Sequence, residues 1–359
     1  AIQVLRNKDI EITPQEEEAA LTAILLHDIG HGPFSHALEQ SIIEDLHHEE
    51  LSLLFMHALN AEFGGRLELA IQIFRGNYHK QFLHQLIAGQ LDMDRLDYLK
   101  RDSFFTGVTE GVIGSDRIVR MLNVADDKLV VDHKGIYSIE KFLIARRLMY
   151  WQVYLHKTVL SSEILLLNIL KRAKRLALSG TEIFSTPALG HFLSQPVSRK
   201  DFFGDHTCAH VQPEINSGMR ENLDRFAQLD DNDIIASAKV WSGHPDPVLS
   251  ILSNNLVNRS LFRIEIRNEK IPAAYVGKIK KAVGNLCKLD DRDLDFLVYQ
   301  GSISNNAYSS DDEQIQILYH GGILKDIAEA SDMLNVSMLS KTVKKYFLCY
   351  PKDTLESTP

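Results

Sequence analysis

From Thr13 to about residue 228 the chain repeats one pattern: apolar residues at helical spacing, closed off by caps, glycines or prolines. Such a pattern admits little but packed α-helices. Thr13-Pro14-Gln15-Glu16 joins a capping box to a proline at the first helical position. The stretch from Glu17 to Ile29 sets Ala20, Ala23, Ile24 and His27 at helical spacing and stops at Gly30. The spacing predicts a further helix from Pro33 to about Leu46. It then predicts helices at 48–62, 66–74, 79–88, 91–103, 115–122, 138–178 and 218–228. The long one, from Ser138, ends in Lys171, Arg172, Lys174 and Arg175 before Gly180, which reads as charge complementing the helix C-terminal dipole.

Near residue 255 the period changes. Leu261-Phe262-Arg263-Ile264-Glu265-Ile266 alternates apolar and charged residues over most of its length, as a half-exposed strand does. Ala273–Leu286 reads as a helix, Leu294–Tyr299 and Gln314–Leu318 as strands, Ile323–Met333 as a helix and Lys344–Tyr350 as a strand. The stretch 195–217, with Pro196, Gly204 and Pro213, is the most loop-like. The expectation is a mainly α fold with a smaller C-terminal α+β lobe. It divides into residues 1–185, a helical and loop connection at 186–255, and the lobe at 256–359.

A net charge of −9 argues against general affinity for nucleic acid or an anionic membrane. An anionic substrate then needs a local basic pocket or a metal. Cys208, Cys287 and Cys349 form no CxxC pair and cannot all pair within one chain, which favours a reducing, cytoplasmic setting. The most apolar run, Ile164–Leu170, follows Glu163 and contains Asn168, so no membrane span is read. No signal peptide is read either, and Ala1 to Arg6 resembles the middle of a helix, so residues upstream are expected.

The run His27-Asp28-Ile29-Gly30-His31-Gly32-Pro33-Phe34-Ser35-His36 holds three histidines and an aspartate at a helix end. Neighbouring helical side chains diverge by about 100°, so His27 and Asp28 share one metal only beyond the helix flank. Any single histidine here reads as a satisfied polar residue. The whole run reads as functional, because an Asp–His pair directly after Ala23-Ile24-Leu25-Leu26 costs stability unless neutralised or metal-bound. In Leu91–Asp102, helical spacing puts Asp94, Tyr98 and either Arg101 or Asp102 on one face. Alone, that cluster reads as a solvated charged face. Arg146, Arg147, Tyr154, His156 and Lys157 put positive charge on one further helix.

Taken in order, HDIGHGPFSH, His48-Glu49, DMDRLDYLKRD and ARRLMYWQVYLHK resemble the dNTP triphosphohydrolase branch of the HD superfamily. The similarity covers residues 19–160 and continues more weakly to Asn258-Arg259. The resemblance implies an HD-domain helical fold and hydrolysis of dNTPs to a deoxynucleoside and inorganic triphosphate. It implies one divalent metal ion (Mn, Fe, Ni, Zn or Mg) held by His27, Asp28 and Asp94. It further implies that His36 is a catalytic histidine, that His48 is a second catalytic or phosphate-facing one, and that Glu39 orients the pair. His31, Arg95, Tyr98, Asp102, Arg146, Tyr154 and Lys157 fall on positions that line the nucleotide pocket. A homodimer or homotetramer is implied too, and some members take a nucleotide effector. Members also carry a metal-binding histidine upstream of the HD doublet. No histidine precedes His27, and that ligand is expected upstream of Ala1. Two other readings stay open: another HD phosphohydrolase, acting on nucleoside monophosphates, cyclic nucleotides or an alarmone, and a degenerate HD-fold binding or scaffold protein.

Overall fold

The computed structural model describes residues 1–35, 41–43, 45–204, 217–305, 308, 314–332 and 342–354. They fall into two compact units. One comprises Ala1–Asp28, Met56–His156 and Ser304–Val343; the other comprises Ile29–Phe55, Lys157–Ile303 and Lys344–Pro359. The fold is mainly helical with small sheets. Among the described residues no single helix is long and apolar enough to cross a membrane.

In the first unit the helix Pro14–Leu26 starts where its cap says it should. Thr13 accepts from the Glu16 N–H at 3.2 Å, and the Glu16 carboxylate accepts from the Thr13 N–H at 2.8 Å. Tertiary structure then gives this capping glutamate a second task. It is 4% exposed and also accepts from the Tyr78 hydroxyl at 2.6 Å and the Lys80 ammonium at 3.0 Å, tying the helix start to the chain ahead of Gln81–Ala88. Burial by itself raises the Glu16 pKa. The hydrogen bonds from Lys80, Tyr78 and Thr13, with the ammonium charge, more than reverse that and bring it to about 2. A carboxyl depressed in the folded state contributes stability above its ordinary pKa, and that contribution fades as pH falls toward 2. Glu16→Gln is therefore expected to lower stability by about 2–3 kcal/mol at neutral pH. It should also flatten the loss of stability below pH 4.5, read by urea titration at several pH values.

The strands are β1 (Leu122–Ala125), β2 (Lys128–Asp132), β3 (Arg263–Arg267), β4 (Tyr299–Asn305), β5 (Gln316–Leu318), β6 (Leu324–Asp326) and β7 (Val343–Tyr350). β1 and β2 form a hairpin that the helical reading passes over. Its two-residue loop is Asp126-Asp127, both left-handed at φ 50° and 57°, which suits the twist of a tight hairpin. β5 joins β2 in parallel, with Val131 opposite Ile317, and β6 closes the four-stranded order β1-β2-β5-β6. The strands read beyond residue 255 thus divide between two sheets, because β3, β7 and β4 form the other in that order.

Several expected elements differ. Asp291–Leu297 is a helix where a strand was read, its acidic first turn suiting the helix dipole, and the strand begins only at Tyr299. Of the helix expected at 323–333, Leu324–Asp326 is strand and only Ile327–Ala330 is helical, capped by Asp326. Of the helix expected from Pro33 to about Leu46, residues 36–40 and 44 lie outside the described residues, and the described ones, 33–35, 41–43 and 45–46, are not helical. Phe34 and Ser35 have φ of 55° and 51°, and two successive left-handed residues cannot continue an α-helix. The segment expected as one helix from 138 to 178 is broken between Met149 and Lys157.

In the second unit Lys157–Leu178 packs along Pro247–Val257 and Pro187–Ser194. The basic cluster at its end does more than complement a dipole. Arg172 and Lys174 are buried, at 7% and 6% exposure. Arg172 reaches Asp246, the N-cap of Pro247–Val257, at 2.5 and 3.0 Å, and Asp293 at 2.7 Å. Lys174 donates to the Ile42 carbonyl.

Candidate metal centre

His27 is the first residue past the helix Pro14–Leu26. Its Nδ1 lies 2.7 Å from the Ile24 carbonyl, so Nδ1 carries the proton and donates, leaving the Nε2 lone pair facing outward. That Nε2 is 3.3 Å from Asp28 Oδ2 and 4.0 Å from Asp94 Oδ2. One donor atom from each of the three lies within 4.8 Å of the others. The helix end resolves the divergence of neighbouring side chains, since Asp28 sits in a turn rather than on the next helical step. A neutral imidazole nitrogen with two carboxylates is a hard-to-borderline donor set suited to a divalent first-row ion or Mg²⁺. The tautomer fixed by Ile24 is the one ligation requires, so these residues fit a divalent metal. Burial raises the Asp94 pKa; His27 opposes the shift and the like charge of Asp28 adds to it.

Asp94 belongs to the helix Met93–Thr106, whose N-cap Asp92 accepts from the Arg95 N–H at 2.7 Å. Residues 94, 98 and 102 recur every fourth position, so one face carries Asp94, Tyr98 and Asp102. Arg101 pairs instead with the exposed Asp97. Arg95 donates through Nε to the Gly89 carbonyl at 2.9 Å, pairs with Asp92 at 3.0 Å, and hydrogen-bonds the Tyr98 hydroxyl. The Tyr154 hydroxyl donates to Asp102 at 2.7 Å. Its ring stands edge-on to Tyr98 at 6.0 Å and to Tyr150 at 5.2 Å. Burial and then Asp102 push the Tyr154 pKa up. The Arg146 charge acts on both Asp92 and Tyr98. The expected residues Arg95, Tyr98, Asp102, Arg146 and Tyr154 thus come together with the metal donors in the first unit.

Two residues of this group were not singled out from sequence. Asp92, 3% exposed, is held up at about 6 by burial against the opposing charge of Arg95. Its sequence signal is an N-cap aspartate three residues ahead of an arginine. Tyr150 carries the signal of i, i+4 spacing from both Arg146 and Tyr154.

His31 and His48 lie in the second unit with their rings stacked, centroids 3.9 Å apart. Gly30 makes this possible: a Cβ there would fall 2.1 Å from the His48 carbonyl, and the Gly30 N–H donates to Ser52 Oγ at 2.9 Å. Lys157 is the exposed first residue of its helix in the same unit. His36 and Glu39 lie outside the described residues.

Residues 3–102 match the HD domain and residues 113–183 the HD associated region. An uncharacterised protein, YwfO, of Bacillus subtilis is 29% identical over 355 residues, 95% of this chain and 75% of its own. A deoxynucleoside triphosphate triphosphohydrolase SAMHD1 homolog of Dictyostelium discoideum is 29% identical over 183 residues, 46% of this chain and 35% of its own. The crystal structure of a phosphohydrolase from Bacteroides thetaiotaomicron superposes with a TM-score of 0.89 at 51% identity, covering 97% of this chain and 83% of that one. With metal donors converging at the HD doublet, and with that likeness along nearly its whole length, the chain belongs to the HD-domain phosphohydrolases.

Proposed function

We propose that the chain hydrolyses deoxynucleoside triphosphates to a deoxynucleoside and inorganic triphosphate. The observation that carries this reading is the single face of Met93–Thr106, which joins a metal donor, Asp94, to the phenol–carboxylate wall of Tyr98, Asp102 and Tyr154. One end of that face suits phosphate and the other a sugar and base. The name of the Dictyostelium relative supports the same substrate class. A divalent ion held by His27, Asp28 and Asp94 would supply Lewis-acid polarisation of the phosphate and lower the pKa of a bound water.

The chain's own residues do the rest. Arg95, anchored by Asp92 and Gly89, presents a fixed guanidinium to phosphate oxygens, with Arg146 as the second cation. Asp102 accepts from a sugar hydroxyl or from Tyr154, and the ring edges of Tyr98 and Tyr154 give the base an apolar boundary. In hydrolysis the water oxygen bonds to the α-phosphorus, the bond from that phosphorus to the 5′-oxygen breaks, and a proton goes to the leaving 5′-oxygen. We assign that proton to His36, oriented by Glu39, with His48 catalytic or phosphate-facing and His31 and Lys157 lining the nucleotide pocket, as the resemblance implies. An imidazole is suited to the transfer because its ordinary pKa lies near neutrality.

Chromatography of products from dNTPs and NTPs, each with Mn²⁺, Mg²⁺, Fe²⁺, Ni²⁺ or Zn²⁺, tests the reading. Inorganic triphosphate and a deoxynucleoside in equal amounts are expected. Release of orthophosphate or pyrophosphate, or turnover confined to nucleoside monophosphates or cyclic nucleotides, would assign a different phosphohydrolase reaction.

A further inference from the structure

Gly32-Pro33-Phe34-Ser35 is a turn, closed by the Ser35 N–H donating to the Gly32 carbonyl at 2.9 Å. Its third residue, Phe34, has φ of 55°, and Ser35 has 51°. A turn with proline second and a left-handed residue third ordinarily takes glycine or asparagine there, because a Cβ crowds the backbone in that conformation. A left-handed phenylalanine followed by a second left-handed residue is strained, and such strain persists only where the surroundings hold it. Pro33 is buried and fixes the start of the turn, but Phe34 and Ser35 are both exposed. The Phe34 N–H, however, donates to Asp231 Oδ1 at 3.1 Å, across 197 residues of chain. That carboxylate is not spent on its own helix, Asp231–Trp241. Asp230 is the cap, accepting from the Asn232 and Asp233 N–H groups, and the Asp233 carboxylate completes the box at the Asp230 N–H. Turn and helix both lie in the second unit.

We infer that Asp231 is a positioning residue for the histidine run: its carboxylate holds Phe34 in the left-handed turn that separates His31 from His36. On one side of the turn His31 is stacked on His48, and on the other His36 follows Ser35 directly in the sequence. Asp231 acts through the backbone between these histidines and not on substrate. This rests on the reading of His36 as the proton donor. Backbone strain beside reacting groups, held from a distant element, sets a site before substrate arrives. Pre-setting matters because a displacement of about 1 Å can cost about 10²-fold in rate.

Asp231→Ala removes the acceptor. Asp231→Asn keeps an oxygen in its place and drops the charge, which also suits a helix start. Asp231 is exposed, so neither change opens a cavity. Each variant is assayed on dNTPs and on bis(4-nitrophenyl) phosphate, with metal content and melting temperature recorded. Asp231→Ala is expected to lower kcat by about 10–10²-fold on both substrates, with KM and metal content held. Asp231→Asn should recover most of the rate. Phe34→Gly supplies the residue that such a turn ordinarily takes, so in that background the Asp231→Ala loss should shrink to a few-fold. Hydrogen exchange of the Phe34 amide gives a readout independent of activity: protection should be lost in Asp231→Ala and kept in Asp231→Asn.

Asp231→Ala at the parental kcat overturns the inference, as does a loss of equal size in the Phe34→Gly background. An Asp231→Asn variant as slow as Asp231→Ala overturns it too, since the charge at the helix start would then matter and the tether would not. Should Asp231→Ala unfold, Asp231 is a folding element and the inference fails. His36→Gln separates this role from the reading beneath it. At parental turnover it refutes the assigned proton donor and this inference with it; slow, beside a normal Asp231→Ala, it refutes the positioning role alone. A parent that cleaves bis(4-nitrophenyl) phosphate but no dNTP refutes the proposed substrate, and the Asp231 comparison is then decided on that ester.

Discussion

Asp94→Asn is expected to release the metal and to lower phosphohydrolase turnover by about 10³-fold or more, since a bound divalent ion supplies several kcal/mol of transition-state stabilisation. Asn keeps the shape and loses the charge that would complete the donor set with His27 and Asp28. The fold should be untouched. The Met93–Thr106 helix is held by Leu96, Leu99 and Ser103 on its buried side, and its cap is Asp92. Stability without metal should be equal to or slightly above the parent's, because the substitution removes a carboxylate whose pKa burial raises and whose neighbour Asp28 repels it. The check pairs elemental analysis of the purified variant with a melting curve and a hydrolysis assay. A variant with full metal content, or with parental turnover, would remove Asp94 from the centre. Loss of activity together with a collapsed melting temperature would mean that its role is structural.

The second large effect is on stability and lies in the second unit. Arg172 is 8% exposed at its side chain and holds two carboxylates, Asp246 and Asp293, from two different elements. Removing one partner of such a group leaves uncompensated buried charge, at a cost of about 3–5 kcal/mol. Arg172→Ala should lose that much, read as a shift in the urea midpoint at constant slope. Asp246→Asn should lose less, since an amide oxygen still accepts from the Leu249 N–H and caps Pro247–Val257. The pH dependence follows from Asp246. Burial alone would raise its carboxyl. The bonds from Arg172 and Leu249, and the guanidinium charge, overcome this and hold it below the ordinary value. Its stabilising contribution is therefore present above the ordinary carboxylate pKa of about 3.9 and is lost as pH falls through the lower folded value. An Arg172→Ala variant that unfolds at the parental midpoint would show that the triad is solvated and inert.

The features legible in the amino-acid order are those whose cause lies within one or two turns of chain. The capping box at Thr13 and Glu16, the helix Met93–Thr106 and the shared face of residues 94, 98 and 102 all follow from residues three or four apart. The pairing of His27 with Asp28 at a helix end was legible for the same reason, and so were the strands β3, β5 and β7, whose alternation or β-branched content is local. That a carboxylate of the Leu91–Asp102 cluster could complete a metal site was legible, but Asp94 was tied to His27 and Asp28 by the resemblance, since it lies far along the chain from them and periodicity does not reach that far.

Tertiary structure alone decided the rest. The hairpin β1–β2 gains much of its reason to form from β5, which pairs with it from far along the chain, so its own short apolar run reads equally well as helix. Arg172 looks like any basic residue near a helix end until Asp246 and Asp293 are folded against it, because burial is a property of the packed neighbours and not of the residue. The same holds for Glu16, a capping residue by its local spacing and a buried charge by virtue of Tyr78 and Lys80. The break in the expected helix 138–178 has no glycine or proline to announce it. Only the folded chain shows it, because Asp102 and Tyr98, which meet Tyr154 there, lie far earlier in the sequence.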